Sequence, residues 1–165
     1  MTEIEIRYEE APEHAYELMK LIIDKMFLEL VNAKILILMD TKQRMADGGA
    51  KITLGRMSKT NDLTRHLTID ESGSETGYDY IMYLDKQMWD HVDDKDRSCV
   101  IRHELRHTLI DDEAKAPYKL RAHTIEDFHE EVKLNEKDPR WRERVAAVTE
   151  SRYESLKNPQ QKLPI

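Results

Sequence analysis

The segment His103-Glu104-Leu105-Arg106-His107 constrains the fold more than any other part of the chain. Two histidines four residues apart leave one face of a helix about one turn apart, so the segment predicts a helix. Aspartates that can cap a helix N-terminus precede it at Asp93, Asp94 and Asp96. We therefore predict a helix over residues 95–110. Its opposite face would carry an apolar stripe formed by Ile101, Leu105 and Leu109.

This spacing also predicts a metal site. Two imidazoles on one helix face can bind one ion at about 2.0–2.1 Å, as zinc requires. Glu104 lies beside such an ion rather than on it, and can accept a proton from a metal-bound water whose pKa the zinc lowers. The pattern alone is of moderate specificity, and the alternative is a pair of exposed histidines on an ordinary helix. We favour a zinc hydrolase with His103 and His107 as ligands and Glu104 as general base.

A catalytic zinc site usually has a third protein ligand, and the sequence offers several candidates after the predicted helix. His123 is followed by Glu126, which is nineteen residues beyond His107, and by Asp127 and His129. Asp127 can instead be an acceptor that orients a ligand imidazole. Residues 108–113 lack the glycine and third histidine of the compact zinc motif. The oxyanion of an acyl-transfer intermediate also needs a donor, and the candidates are Tyr118 and Arg121.

Apolar periodicity predicts an α+β fold, with a short sheet of three or more strands flanked by helices. Apolar residues recur at three- and four-residue steps over residues 12–31, which is typical of a helix packed on a core. Three short runs predict strands, at residues 34–39, 51–57 and 78–84. Residues 58–77 are rich in Ser, Thr, Asp and Gly and predict a long surface loop.

Length predicts one domain, because 165 residues suit a single modest core. Further helices are expected from Thr124 and from Asp138-Pro139, where a cap precedes a helix-initiating proline. We assign residues 1–157 to the domain, with its last helix over 139–157, and expect a flexible tail over 158–165.

Composition excludes several classes of protein. A net charge of -7 disfavours a broad phosphate-binding surface, so we expect no nucleic-acid partner. The single Cys99 excludes an intramolecular disulfide framework and a cysteine-rich zinc site. The chain has no run of eighteen apolar residues and no apolar leader at its N-terminus. We expect a cytoplasmic protein without a membrane partner; a secreted enzyme with its leader removed is the alternative.

Residues 34–132 resemble the phage metallopeptidases, small proteins related to the SprT-like minimal zincins. The resemblance is carried by Tyr78-Asp79-Tyr80-Ile81-Met82-Tyr83-Leu84, by Trp89, by the histidine motif and by the run from Lys119 to Phe128. It implies a zincin-like fold and a third ligand at a helix start with a phenylalanine five residues on, which His123 and Phe128 match. Ala122 and Thr124 stand where the family pattern has Pro and Asp.

These features together predict a zinc metallopeptidase that cleaves a protein or peptide substrate. By analogy of fold, the substrate would add to an exposed edge strand, for which residues 78–84 are the candidate. Two alternatives stay open. The first is a zinc-binding interaction module without hydrolysis, in which the metal staples the fold. The second is a DNA-associated regulator that uses the basic cluster of Arg140, Arg142 and Arg144.

Overall fold

A computed structural model describes residues 3–42, 53–123, 132–133, 135–140, 144 and 148. The chain divides into two compact units, residues 1–122 and 123–165. In the described part of the second unit, residues 132 and 133 are helical, and Arg144 pairs with Asp138 at 2.8 Å. The predicted helix from Thr124, most of the helix over 139–157, the tail over 158–165 and the start of the strand over 51–57 lie outside the described residues.

The first unit is built on a mixed four-stranded sheet, which confirms the predicted α+β class. The strands in chain order are β1 (Tyr8–Glu10), β2 (Ile35–Asp40), β3 (Gly55–Lys59) and β4 (Tyr80–Asp85). Their spatial order is β1-β2-β4-β3, with β2 and β4 parallel and the outer pairs antiparallel. The prediction that residues 78–84 form an edge strand is wrong, because β4 has a neighbour on each side.

The two central strands supply the core. Their alternate residues are buried on one face of the sheet: Ile35, Ile37, Met39, Tyr80, Met82 and Leu84. Parallel pairing in register, from Ile35 opposite Tyr80 to Asp40 opposite Asp85, places these residues side by side. Such a buried face explains why the sequence of each central strand is a short and strongly apolar run. The strands predicted over 34–39 and 78–84 are confirmed to within two residues.

Helix α1 (Glu13–Met26) covers this face through Ala15, Met19 and Ile23. The predicted helix over 12–31 is confirmed, but it ends at Met26 because Phe27 leaves the helical region, and a 3-10 turn follows over Leu28–Leu30. The Tyr16 hydroxyl lies 3.0 Å from the Ile37 amide nitrogen and 3.4 Å from its carbonyl oxygen. It thereby satisfies backbone groups on the edge of β2 that β1 does not reach, since β1 pairs with residues 38–40.

The prediction of a loop over residues 58–77 is wrong for the middle of this segment. That part forms two short helices, α2 (Asp62–Leu67) and α3 (Ile69–Ser72). Neither helix has a buried residue, so neither shows an apolar stripe. Asn61 caps α2 by accepting from the Thr64 amide at 2.8 Å. Gly77, with φ +73°, ends the segment, and a Cβ there would lie 2.2 Å from the Arg65 carbonyl oxygen. The polar composition of this segment therefore gave no indication of its two short helices.

Two more helices and a hairpin complete the first unit. They are α4 (Lys86–His91), α5 (Asp94–Leu105), β5 (Thr108–Ile110) and β6 (Tyr118–Leu120). The helix predicted over 95–110 is confirmed, with Asp93 as its cap, but it stops at Leu105. The Thr108 hydroxyl donates to the Leu105 carbonyl at 2.7 Å, and the chain turns into the antiparallel β5–β6 hairpin. Leu109 consequently lies on this hairpin, 45% exposed, and not in a core-facing stripe. Among the described residues, no helix has the length and apolar character needed to cross a bilayer.

An ion pair joins the N-termini of α1 and α5, and we expect it to make stability depend on pH. His14 Nε2 lies 2.8 Å from Asp94 Oδ1, which raises the pKa of His14 and lowers that of Asp94. Because the folded pKa of His14 exceeds its unfolded value of about 6.5, its stabilising contribution is complete below that pH and disappears as the pH rises through the folded value. The melting temperature of metal-free protein should therefore fall more between pH 6 and 8 in the wild type than in His14→Gln.

The matched control for this prediction is His91→Gln. His91 is exposed, and its ring contacts the Gln87 carbonyl of its own helix rather than an acidic side chain of another helix. This variant should keep the pH dependence of the wild type. The effect of His14 will be modest, because both partners of the ion pair are about half exposed. Identical pH profiles for the wild type and His14→Gln would show that the ion pair contributes nothing.

Candidate metal centre

Helix α5 positions the first histidine and the acidic residue of the motif. Ile101 and Leu105 are fully buried, and they fix the rotation of the helix against the sheet. That rotation leaves His103 exposed, whereas Glu104 is only 5% exposed. The motif therefore presents one imidazole outward and holds one carboxylate in a largely dry environment.

His107 lies in the turn between α5 and β5, not in the helix itself. Its amide donates to the Glu104 carbonyl at 3.0 Å, which preserves a helix-like turn and keeps its ring near that of His103, with centroids 5.3 Å apart. Its Nδ1 lies 2.8 Å from the Arg121 carbonyl oxygen. A carbonyl can only accept, so Nδ1 carries the proton in this contact. The lone pair of the neutral ring is then on Nε2, the arrangement typical of a zinc-binding histidine.

The third histidine follows β6. The Arg121 amide donates to the His107 carbonyl at 2.8 Å, so the β5–β6 pairing continues to the residue pair beside the site. His123 comes two residues later, and one ligand nitrogen from each of His103, His107 and His123 lies within 4.8 Å of the others. The structure thus brings together the three residues that the sequence nominated. Their binding of a metal stays a prediction.

The Glu104 carboxylate packs against the start of β3. A Cβ added at Gly55 would lie 3.0 Å from both Cγ and Oε1 of Glu104. Burial raises the pKa of Glu104, and the nearby His107 partly opposes this rise. Gly55 is not among the site residues that the sequence predicts, although an isolated glycine in a strand pattern is a known sign of close approach.

The other predicted site residues have different surroundings. The Arg121 Nε donates to the Arg106 carbonyl, at the C-terminus of α5. The Tyr118 ring packs edge-on against Tyr80, and burial together with the nearby Asp79 raises its pKa. An oxyanion-stabilising role for either residue stays a prediction. Glu126, Asp127 and His129 lie outside the described residues.

The donor set fits zinc. Three imidazole nitrogens are a ligand set that catalytic zinc sites use, with one position left for water or substrate. The protonated Nδ1 of His107 is directed by a backbone carbonyl, which orients the ring and makes the opposite nitrogen more basic. A buried carboxylate adjoins this set. The arrangement is therefore capable of activating water.

Comparison with known protein families gives one match. The family model described as "Putative phage metallopeptidase" matches residues 6–151. Neither the curated proteins nor the solved structures contain a match to the chain. The matched region includes all three histidines and Glu104.

Proposed function

The chain belongs to the phage metallopeptidase family, and on that premise we propose that it is a zinc-dependent peptidase. His103, His107 and His123 would hold the metal, and Glu104 would be the general base. The observation that carries the proposal is the approach of the three histidine nitrogens to within 4.8 Å of one another. If His103 and His107 were ordinary surface histidines, there would be no reason for a third histidine from another part of the chain to lie beside them.

The chemistry divides between the metal and Glu104. Zinc held by these imidazoles would supply Lewis acidity, which polarises a peptide carbonyl and lowers the pKa of water towards neutrality. Glu104 accepts the proton of the attacking water and delivers it to the leaving amine. Burial supports the first step, because desolvation raises the pKa of the Glu104 carboxyl and a carboxylate of raised pKa is the stronger base.

We place the substrate along β3. Among the described residues, β3 pairs only with β4, so its other side is a sheet edge. Gly55 begins this strand and contacts the Glu104 carboxylate. An extended peptide that added to this edge would pass beside the base. Backbone hydrogen bonds would hold it there, so binding would depend little on the amino-acid sequence of the peptide.

The proposal is tested by assaying purified protein for zinc content and for cleavage of an unfolded protein substrate. We expect one zinc per chain, and hydrolysis that a chelator abolishes and added zinc restores. Stoichiometric zinc without hydrolysis of any peptide would instead support the interaction module. Salt-dependent DNA binding without hydrolysis would support the regulator, although Arg144 of its basic cluster is already paired with Asp138.

Replacing Gly55 by alanine tests the contact between β3 and the base. The new Cβ would force the Glu104 carboxylate to move by a few tenths of an ångström. Since a displacement of 1 Å costs on the order of 10²-fold in rate, we expect kcat to fall about 10-fold with zinc content unchanged. Steady-state kinetics and metal analysis of Gly55→Ala check this prediction.

Gly73→Ala is the matched control. Gly73 has φ +64°, so alanine there costs stability, but its Cβ would meet nothing within 4 Å. It should lower the melting temperature and leave kcat unchanged. If Gly55→Ala retains full kcat, the placement of Glu104 against β3 is not needed for catalysis.

A further inference from the structure

The hydroxyl of Tyr80 contacts both strands of the β5–β6 hairpin. It lies 2.8 Å from the Lys119 carbonyl oxygen and 3.2 Å from that of Leu109, and the residue is fully buried in β4. Leu109 and Lys119 form a cross-strand pair of the hairpin, so one hydroxyl contacts both residues of that pair. Burial raises the pKa of Tyr80 to about 12, and the group is therefore a hydrogen-bond donor throughout the working pH range.

This pair is close to the candidate metal site, because Leu109 is two residues from His107. The next hydrogen-bonded pair of the hairpin in that direction is His107 and Arg121, in which the Arg121 amide donates to the His107 carbonyl at 2.8 Å. The His107 imidazole is oriented by the Arg121 carbonyl, also at 2.8 Å. His123 comes two residues after Arg121, beyond the end of β6. A shift of the hairpin along or away from β4 would therefore move two of the three candidate ligands relative to His103, which α5 holds separately.

We propose that Tyr80 is a positioning residue for the metal site, acting through the hairpin. Its hydroxyl fixes the hairpin to the central strand of the sheet, so that His107 and His123 meet His103 at the spacing that one ion requires. The inference rests on the proposed zinc function. A buried tyrosine outside the ligand set thereby determines metal affinity through two backbone carbonyls.

The test is Tyr80→Phe, measured by zinc affinity in competition with a chromogenic chelator. Phenylalanine keeps the ring that packs edge-on against Tyr118 at 5.6 Å, and far-UV circular dichroism checks that the fold is retained. We expect zinc to bind about 10- to 100-fold more weakly, the usual loss when an outer support of a metal ligand is removed. The visible spectrum of the Co²⁺ form should change as well, because the ligand geometry relaxes.

Tyr16→Phe is the matched control. Tyr16 also bonds backbone groups with its hydroxyl, those of Ile37 in β2, but it does not contact the hairpin in the bonds described. Both variants should lose some thermal stability, and only Tyr80→Phe should lose zinc affinity. Wild-type affinity in Tyr80→Phe, or an equal loss in Tyr16→Phe, would overturn the inference. Absence of zinc binding by the wild type would instead refute the proposed function itself.

Discussion

Glu104→Gln should lower the rate of peptide hydrolysis by about 10³- to 10⁴-fold, the upper range for removal of a general acid–base group. Glutamine has nearly the same shape but cannot take the proton from water. Because Glu104 is not among the three clustered histidines that would hold the metal, the variant should still bind one zinc per chain. Single-turnover kinetics and metal analysis on the same preparation measure the two properties separately.

The same substitution should not destabilise the metal-free protein. Burial raises the pKa of Glu104, which means that the folded state disfavours the ionised carboxylate. At a pH above the raised value, the charge therefore costs folding free energy, and the neutral amide removes that cost. We expect the melting temperature of metal-free Glu104→Gln at pH 8 to equal or exceed that of the wild type.

Glu113→Gln is the control, because Glu113 is an exposed glutamate in the turn that joins β5 to β6. Its activity and melting temperature should match those of the wild type. Retained hydrolysis in Glu104→Gln would refute the role of Glu104 as base. Loss of activity together with loss of zinc would mean that Glu104 supports the metal rather than the proton transfer.

Removing either His103 or His107 should strongly weaken zinc binding. We expect His103→Ala and His107→Ala to weaken zinc by more than about 100-fold, since even a lost hydrogen-bond partner of a ligand costs 10- to 100-fold. Zinc should also raise the melting temperature of the wild type, because a ligand that binds only the folded state stabilises it by about 4 kcal/mol at a thousand times its Kd. Neither variant should show this stabilisation.

Titration calorimetry and thermal melts with and without zinc measure these effects. His66→Ala is the matched control, since His66 is an exposed histidine on α2 and is not in the candidate cluster. It should bind zinc as the wild type does. Undiminished stabilisation by zinc in His103→Ala would place the metal elsewhere on the protein.

The sequence predicted those parts of the fold whose causes are local or strongly periodic. The capped α5, the amphipathic α1 and the apolar runs of β2 and β4 all fall in this class. The order of the strands was not predictable in the same way, because a parallel partner such as β4 for β2 is set by packing between distant segments. For this reason the sequence does not reveal that residues 78–84 form a central strand and not an edge strand.

The candidate site shows the same division. The spacing of His103 and His107 indicated a shared face, and the family resemblance indicated His123. However, His107 lies in a turn beyond the helix, and its orientation depends on the carbonyl of Arg121, fourteen residues later. Backbone carbonyls carry no signature in sequence. The contact of Gly55 with Glu104 likewise joins segments nearly fifty residues apart, so composition alone could not reveal it.

The proposed zinc site is tested most directly by anomalous diffraction at the zinc edge from a crystal of the zinc-loaded protein. We expect one strong anomalous peak, bound by nitrogen atoms of His103, His107 and His123, with the Glu104 carboxylate beside it but not coordinated. A peak whose third protein ligand is Glu126 or Asp127, or the absence of any zinc peak near His103 and His107, would contradict it.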